Sequence, residues 1–236
     1  MASVIKEKSE PSLIFVGIYA AVMVSFGILL GFIYLMSFPL QAYPSMEKRA
    51  DDLEKRESSN SNPGDAFYIE GPRSGSSAWE AKRGQLVEGS ASRVRLSAGE
   101  INAWLQTKFR PSAVAEGSES KDLLIEPDSP NIGITEDGAV YLNLPAKISG
   151  YGMDGKSIFS AQVHYTGGAP PRLSVDRLQI GGAAVPLPGI LGSQIVSAMQ
   201  RAFSSAEEYA VLSKAWDRVQ SVEASDGALV LTLETL

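Results

Sequence analysis

The sequence contains no cysteine, one histidine and no excess of basic residues. Without cysteine there is no disulfide, no thiolate nucleophile and no Cys-ligated metal, although that absence fixes no compartment. The lone histidine, His164, would have to serve any Ser-His-Asp triad. A formal net charge of −6 and a sequence pI of about 5.0 leave no basic footprint, so nucleic acid is not an expected partner. Lys6 and Lys8 are balanced by Glu7 and Glu10, so the chain beyond residue 38 carries the whole negative balance.

What the sequence does hold is a long uncharged run, Ser12 to Phe38, between Glu10-Pro11 and Pro39. A helix through it would measure roughly 40 Å at 1.5 Å per residue, against a hydrocarbon core of about 30 Å. The run is nearly twice a secretory h-region of about 7–15 residues, and Leu40-Gln41-Ala42 has leucine where a cleavage site wants a small side chain. An uncleaved transmembrane helix over 12–38, behind a polar tail at 1–11, is the expectation. Gly17, Ala20, Val24, Gly27 and Gly31 fall along one seam of that helix, and Gly27-xxx-Gly31 is the spacing that lets two helices approach closely. Small residues are also common in membrane helices for no such reason. Lys6 and Lys8 precede the helix, whereas Lys48, Arg49, Lys55 and Arg56 follow it, a count that favours a cytoplasmic domain. Lys55 and Arg56 lie at the edge of the window, and large domains translocate regardless of charge. The expectation adopted is an inner-membrane protein with its C-terminal domain outside the cytoplasm.

Residues 39–64 read as a charged stalk and linker. Pro39 and Pro44 break the helix at the interface, with Tyr34 and Tyr43 as interfacial aromatics. SMEKRADDLEKRESS then reads as a short solvated helix with Asp51–Lys55 and Asp52–Arg56 at i,i+4, and only Met46, Ala50 and Leu53 as an apolar stripe. SSNSNPG, residues 58–64, is a flexible linker.

Residues 65–236 read as a single α+β domain, an antiparallel sheet flanked by helices. Ser74 to Glu88 is an expected helix with Trp79, Arg83, Leu86 and Val87 in register, and Arg93–Leu96 is a short strand. In LSAGEINAWLQTKF, Ser97 and Glu100 have capping-box spacing, Leu96 and Ile101 that of a hydrophobic staple. Ile101, Trp104, Leu105 and Phe109 then form a helical apolar face. Residues 111–130 read as an exposed loop around a short apolar LLI. Thereafter the period is two: Ile132–Thr135, an Asp137-Gly138 turn, Val140–Ile148, Ser157–Thr166 and Arg172–Ile180. A parity change between Val175 and Leu178 predicts a bulge or a twist. GGAAVPLPGILG, residues 181–192, leads into two helices, the first lined by Ile190, Leu191, Ile195, Met199 and Phe203, the second by Tyr209, Leu212, Trp216 and Val219. A hairpin, Ser221–Ala224 and Ala228–Leu233 around Asp226-Gly227, closes the chain.

Motifs of chemistry are few. Gly150-Tyr-Gly-Met-Asp-Gly155 matches GxGxxG, but a period-two strand follows where a dinucleotide site needs a helix, so it reads as a hairpin turn. Ser118 and Lys121 have SxxK spacing in a polar loop with no accompanying motif. His164 shares a strand face with Ser160 and Gln162 and reads as an exposed sheet residue. No acid pair follows from spacing. No enzyme activity, metal or cofactor is expected.

Three stretches, LSAGEINAWL (96–105), the alternating strands and IGGAAVPLPG (180–189), resemble small membrane-anchored bacterial envelope domains with folds related to lipid-binding or lipid-transfer proteins. The resemblance, over residues 90–236, implies an extracytoplasmic domain and an apolar groove between sheet and helices. Ile195, Met199, Phe203, Leu212 and Trp216 would line that groove and take lipid or another apolar ligand, unless the same side chains simply close the core. The alternative is a scaffold or assembly subunit that docks on other membrane proteins through its helix seam and its domain. The bilayer is the expected partner in both cases.

Overall fold

The computed structural model describes residues 13–36, 38, 40–57, 66–73, 77–109, 124–150, 153–186 and 207–234, with side chains omitted at 13–21, 29, 33, 57, 124–127, 148–150, 153–155 and 207. The elements run α1 (Leu13–Met36), β1 (Gln41–Tyr43), α2 (Met46–Glu57), β2 (Phe67–Ile69), α3 (Ala78–Glu88), β3 (Arg93–Ser97), α4 (Ala98–Lys108), β4 (Leu124–Pro127), β5 (Asn131–Ile134), β6 (Val140–Gly150), β7 (Met153–Thr166), β8 (Arg172–Ile180), β9 (Ala183–Ala184), α5 (Glu207–Trp216), β10 (Val219–Ser225) and β11 (Ala228–Leu233). The fold is α+β, with antiparallel sheets flanked by helices.

Alternation in β6, β7 and β8 builds the larger sheet, a meander in which Val140, Ala161, Val163 and Leu178 turn to one buried face. The outer edge of β6 is filled by two strands in series, β5 against Val140–Asn143 and β4 against Ala146–Ser149. Leu124 and Ile125 of the LLI segment expected in a loop therefore lie in edge strand β4, which ends in Pro127, a residue that edges tolerate. β7 and β8 slip register between Gln162 and Val163, opposite Arg177 and Val175, which leaves Asp176 as the extra residue. Of the bulge or twist that the parity change predicts, the structure has the bulge, and it lets both Val175 and Leu178 reach the core.

The sequence reading had one sheet; the structure has a second. β10, β11 and β3 form a separate antiparallel sheet, because β3 pairs with the C-terminal strand from Arg93↔Thr232 to Ser97↔Ala228. The β10–β11 turn has Asp226 at φ 48° and Gly227 at φ 66°, both positive as a type I′ hairpin needs. β3 leads straight into α4 through a complete capping box: the Ser97 side chain accepts from the Glu100 N–H, and Glu100 accepts from the Ser97 N–H at 2.8 Å. α3, α4 and α5 cover this sheet around Trp79 and Trp104, stacked with centroids 6.0 Å apart. α3 begins at Ala78 behind Ser77, later than the expected Ser74.

The opposite face of the larger sheet carries polar residues, and a strap covers them. The Asn143 Nδ2 donates to the Ile69 carbonyl at 2.8 Å, and Asn131 both accepts from the Gly71 N–H and donates to the Gly71 carbonyl, at 2.9 and 3.1 Å. Asn102, fully buried, accepts from the Ile132 N–H and donates to the carbonyls of Ile132 and Pro72. These amides satisfy the backbone of residues 69–72 where it crosses the sheet without joining it. β1 pairs with β2 in parallel, and α2 lies against the pair. Arg49 sits 3.8 Å above the Phe67 ring, the Tyr43 hydroxyl donates to Asp52 at 2.7 Å, and Arg56 reaches both Asp52 and Gln41. The charged segment is a helix, as expected, but it is docked where a solvated stalk was expected. Aromatic rings of β1 and β2 give its arginine and aspartate better partners than water.

Among the described residues no helix is long and apolar enough to cross a membrane. α1 itself runs 24 residues without a charged group, with side chains described only from Val22 onward. The described residues therefore do not establish the spanning helix expected over 12–38.

Candidate functional site

The first seven described side chains of α1 all lie open. Val22, Met23, Val24, Phe26 and Ile28 are each more than half exposed, and they point in all directions around the helix. A helix that is apolar on every side has no polar face to give to water. Of the seam residues, Val24 is exposed, and a Cβ at Gly27 or Gly31 would meet nothing within 4 Å among the described residues. Gly17 and Ala20 lie on α1 among the positions without described side chains.

One turn further the helix enters the domain. Phe32 and Met36 pack against the core of the larger sheet, beside Ile180 and Val185. The chain then passes over the β8–β9 turn, where the Gly182 N–H donates to the Phe38 carbonyl at 2.8 Å. Gly181 has φ +54°, and a Cβ there would lie 2.1 Å from the Met36 carbonyl oxygen; one at Gly182 would lie 2.9 Å from that of Leu35. Only glycine allows backbone to approach backbone this closely. Tyr34 and Phe38, both exposed, meet edge to face at 4.9 Å.

The expected groove is described in part. Leu212 and Trp216 are half-buried against the core of the smaller sheet, and the Trp216 ring lies 6.0 Å from Tyr165. Burial pushes the Tyr165 hydroxyl up to about 12. Ile195, Met199 and Phe203 lie outside the described residues. A pocket of about 280 Å³ opens instead between α3 and α5, lined by Val87, Ala210, Val211, Lys214, Ala215 and Arg218. Neither Leu212 nor Trp216 lines it.

Beside that pocket, a carboxylate ties three helices together. Glu208 on α5 is paired with Arg83 on α3 along one guanidinium edge, Nε donating to one carboxylate oxygen and Nη2 to the other, and it accepts from the Trp104 Nε1 of α4 at 2.8 Å. Arg83, then burial, then Trp104 act on Glu208, and the net effect holds its carboxyl below the usual range. Arg83 is raised in return by the same bond. Lys82 binds Glu100 at 2.6 Å; burial pushes Glu100 up, but Lys82 and Ser97 outweigh it and hold it low. Helical spacing had placed Arg83 in a face with Trp79 without showing its partner, which lies 125 residues away.

Among the described residues, those considered for chemistry are not brought together. His164 Nδ1 lies 2.8 Å from Asp176 on an exposed stretch of sheet. Gly150 pairs with Met153 at the β6–β7 connection and Gly155 with Ile148, so the glycine motif sits in a hairpin and not before a helix. Ser118 and Lys121 lie outside the described residues. Among the described residues no group of three or more His, Asp or Glu could hold a metal. The asparagines of the strap and the Gly181–Gly182 contact were not singled out by sequence reasoning, since only the packed chain shows which backbone each meets. No family model, curated protein or solved structure matches this chain.

Proposed function

We propose that this is a single-pass membrane protein whose α+β domain works by docking on partners rather than by catalysis. The observation that carries it is α1: a charge-free helix whose described apolar side chains from Val22 to Leu30 lie exposed, continuous with the folded domain. Soluble monomers rarely expose a contiguous run of large apolar side chains of this kind to water. The bilayer is the solvent that matches it. Docking is favoured over lipid carriage by the two groove residues described, since Leu212 and Trp216 are already spent on the core while Gly27 and Gly31 face open space. The domain lies outside the cytoplasm, held to the inner membrane.

The absence of native cysteine makes the test clean. A single Ser225→Cys beside the Asp226-Gly227 turn is labelled with a membrane-impermeant maleimide in intact cells, the outer membrane permeabilised first. The protein should resist alkaline carbonate extraction and label before the inner membrane is lysed. Release by carbonate would overturn the anchor. Labelling only after lysis would put the domain in the cytoplasm, as the Lys/Arg count has it. A stoichiometric lipid retained through purification, with no protein partner, would favour the groove over docking.

A further inference from the structure

The geometry points to the β8–β9 turn as a seat that holds the domain down on the lipid headgroup layer in one orientation, with Ala184 and Pro186 on the bilayer side. The inference rests on the membrane reading of α1. Three observations carry it. First, no spacer separates helix from core: the described side chains of α1 are open from Val22 through Leu30, and by Phe32 the helix is packed against the larger sheet. Second, the contact is backbone on backbone. The carbonyls of Leu35 and Met36 belong to the last turn of α1 and that of Phe38 lies just past it; Leu35 accepts from the Phe38 N–H, and the seat supplies Phe38 with a donor in the Gly182 N–H. Two glycines in succession are needed for that approach, and the first has the positive φ that side chains resist. Third, Tyr34 and Phe38 stand exposed at the same level, an aromatic pair where a membrane–water boundary favours one.

Depth follows from length. Leu13 to Phe32 spans roughly 30 Å at 1.5 Å per residue, the thickness of the hydrocarbon core. The seat at 35–38 then lies at headgroup depth, and Ala184 and Pro186, both exposed, lie beside it. The Gly181 N–H bonds the Ile158 carbonyl, and Ile158 faces Pro145 in the sheet. From that level to the β5–β6 turn is six residues of strand, roughly 20 Å. There a Cβ on Gly138 would touch the Ala224 carbonyl, so the β10–β11 turn lies at the far end.

The test uses the full-length chain with one cysteine, Ala184→Cys or Ser225→Cys, carrying a fluorophore. The protein is reconstituted in phosphatidylethanolamine/phosphatidylglycerol vesicles doped with a headgroup nitroxide lipid. The label at 184 should be quenched several-fold more than the label at 225. Gly182→Ala, and more severely Gly181→Val, should shrink that difference while the protein still floats with the vesicles and melts as a folded domain. Equal quenching at both sites in the unsubstituted chain, or quenching that both glycine variants leave unchanged, would overturn the seat alone. Failure to float with the vesicles would overturn the membrane reading and the lipid contact with it.

Discussion

Glu208 shows how much of this fold rests on single polar side chains. It is buried, and it is held by Arg83 and by the Trp104 indole from two other helices. Glu208→Ala would leave the guanidinium half-buried without its carboxylate, a change that typically costs about 3–5 kcal/mol. Glu208→Gln, which keeps an acceptor for Trp104, should cost less; urea titration of the detergent-solubilised chain compares the two. The same pair sets an acid limit. The folded-state values of Glu208 and Glu100 are depressed from 4.5, so their contribution is present above that value. It is lost as pH falls through the lower folded values, because the unfolded chain takes up protons first. Melting temperature should therefore drop steeply below about pH 4.5, and less steeply in Glu208→Gln. An equal slope in both proteins would remove Glu208 from the account. Tyr165 acts in the opposite direction: with its hydroxyl raised from 10.0 to about 12, stability falls as pH climbs between those values.

At the level of whole elements, the strap is the part most exposed to a small change. Gly133 lies under it, and a Cβ there would sit 2.2 Å from the Ile69 carbonyl oxygen and 2.9 Å from its carbonyl carbon, so backbone would have to shift. Gly133→Ala should cost about 1–3 kcal/mol, as overpacking does. Amides of 67–71 should then exchange faster than those of the β6–β7 pairing, which hydrogen exchange can separate; uniform exchange would mean the strap is not a separate unit. These contacts also mark where sequence reading stopped. Ser97 with Glu100, Asp226-Gly227, the alternation of β6 to β8 and the bulge at Asp176 were legible, because each is decided by neighbours within a few residues. β4 was not, since an edge strand ending in Pro127 resembles a loop until β6 is placed beside it. Nor were the β3–β11 pairing and the docking of α2, where partners come from far along the chain. Of the candidate site, the charge-free run was plain in the letters. Its seat was not, because a glycine pair says nothing of which carbonyl will lie against it.

For the molecule as a whole, the open question is what α1 meets beyond its own domain. Gly27 and Gly31 offer a test that leaves the domain alone, since a Cβ added at either meets nothing within 4 Å among the described residues. Gly27→Leu with Gly31→Leu should leave domain stability within about 0.5 kcal/mol, as for a surface change away from structural features. In a membrane the same two leucines would hold paired helices apart, because close approach at this spacing depends on small side chains. If the seam pairs two copies, or one copy with another membrane protein, the crosslinked species in native membranes should fall several-fold while the monomer keeps its melting temperature. The seat sharpens what that loss would mean: with α1 fixed to the larger sheet through Phe32, Met36 and the Gly182–Phe38 bond, a partner on the seam also sets where the domain faces. A crosslinked species unchanged by the double substitution would show that the seam is bare lipid contact, and docking would then rest on the domain surface alone.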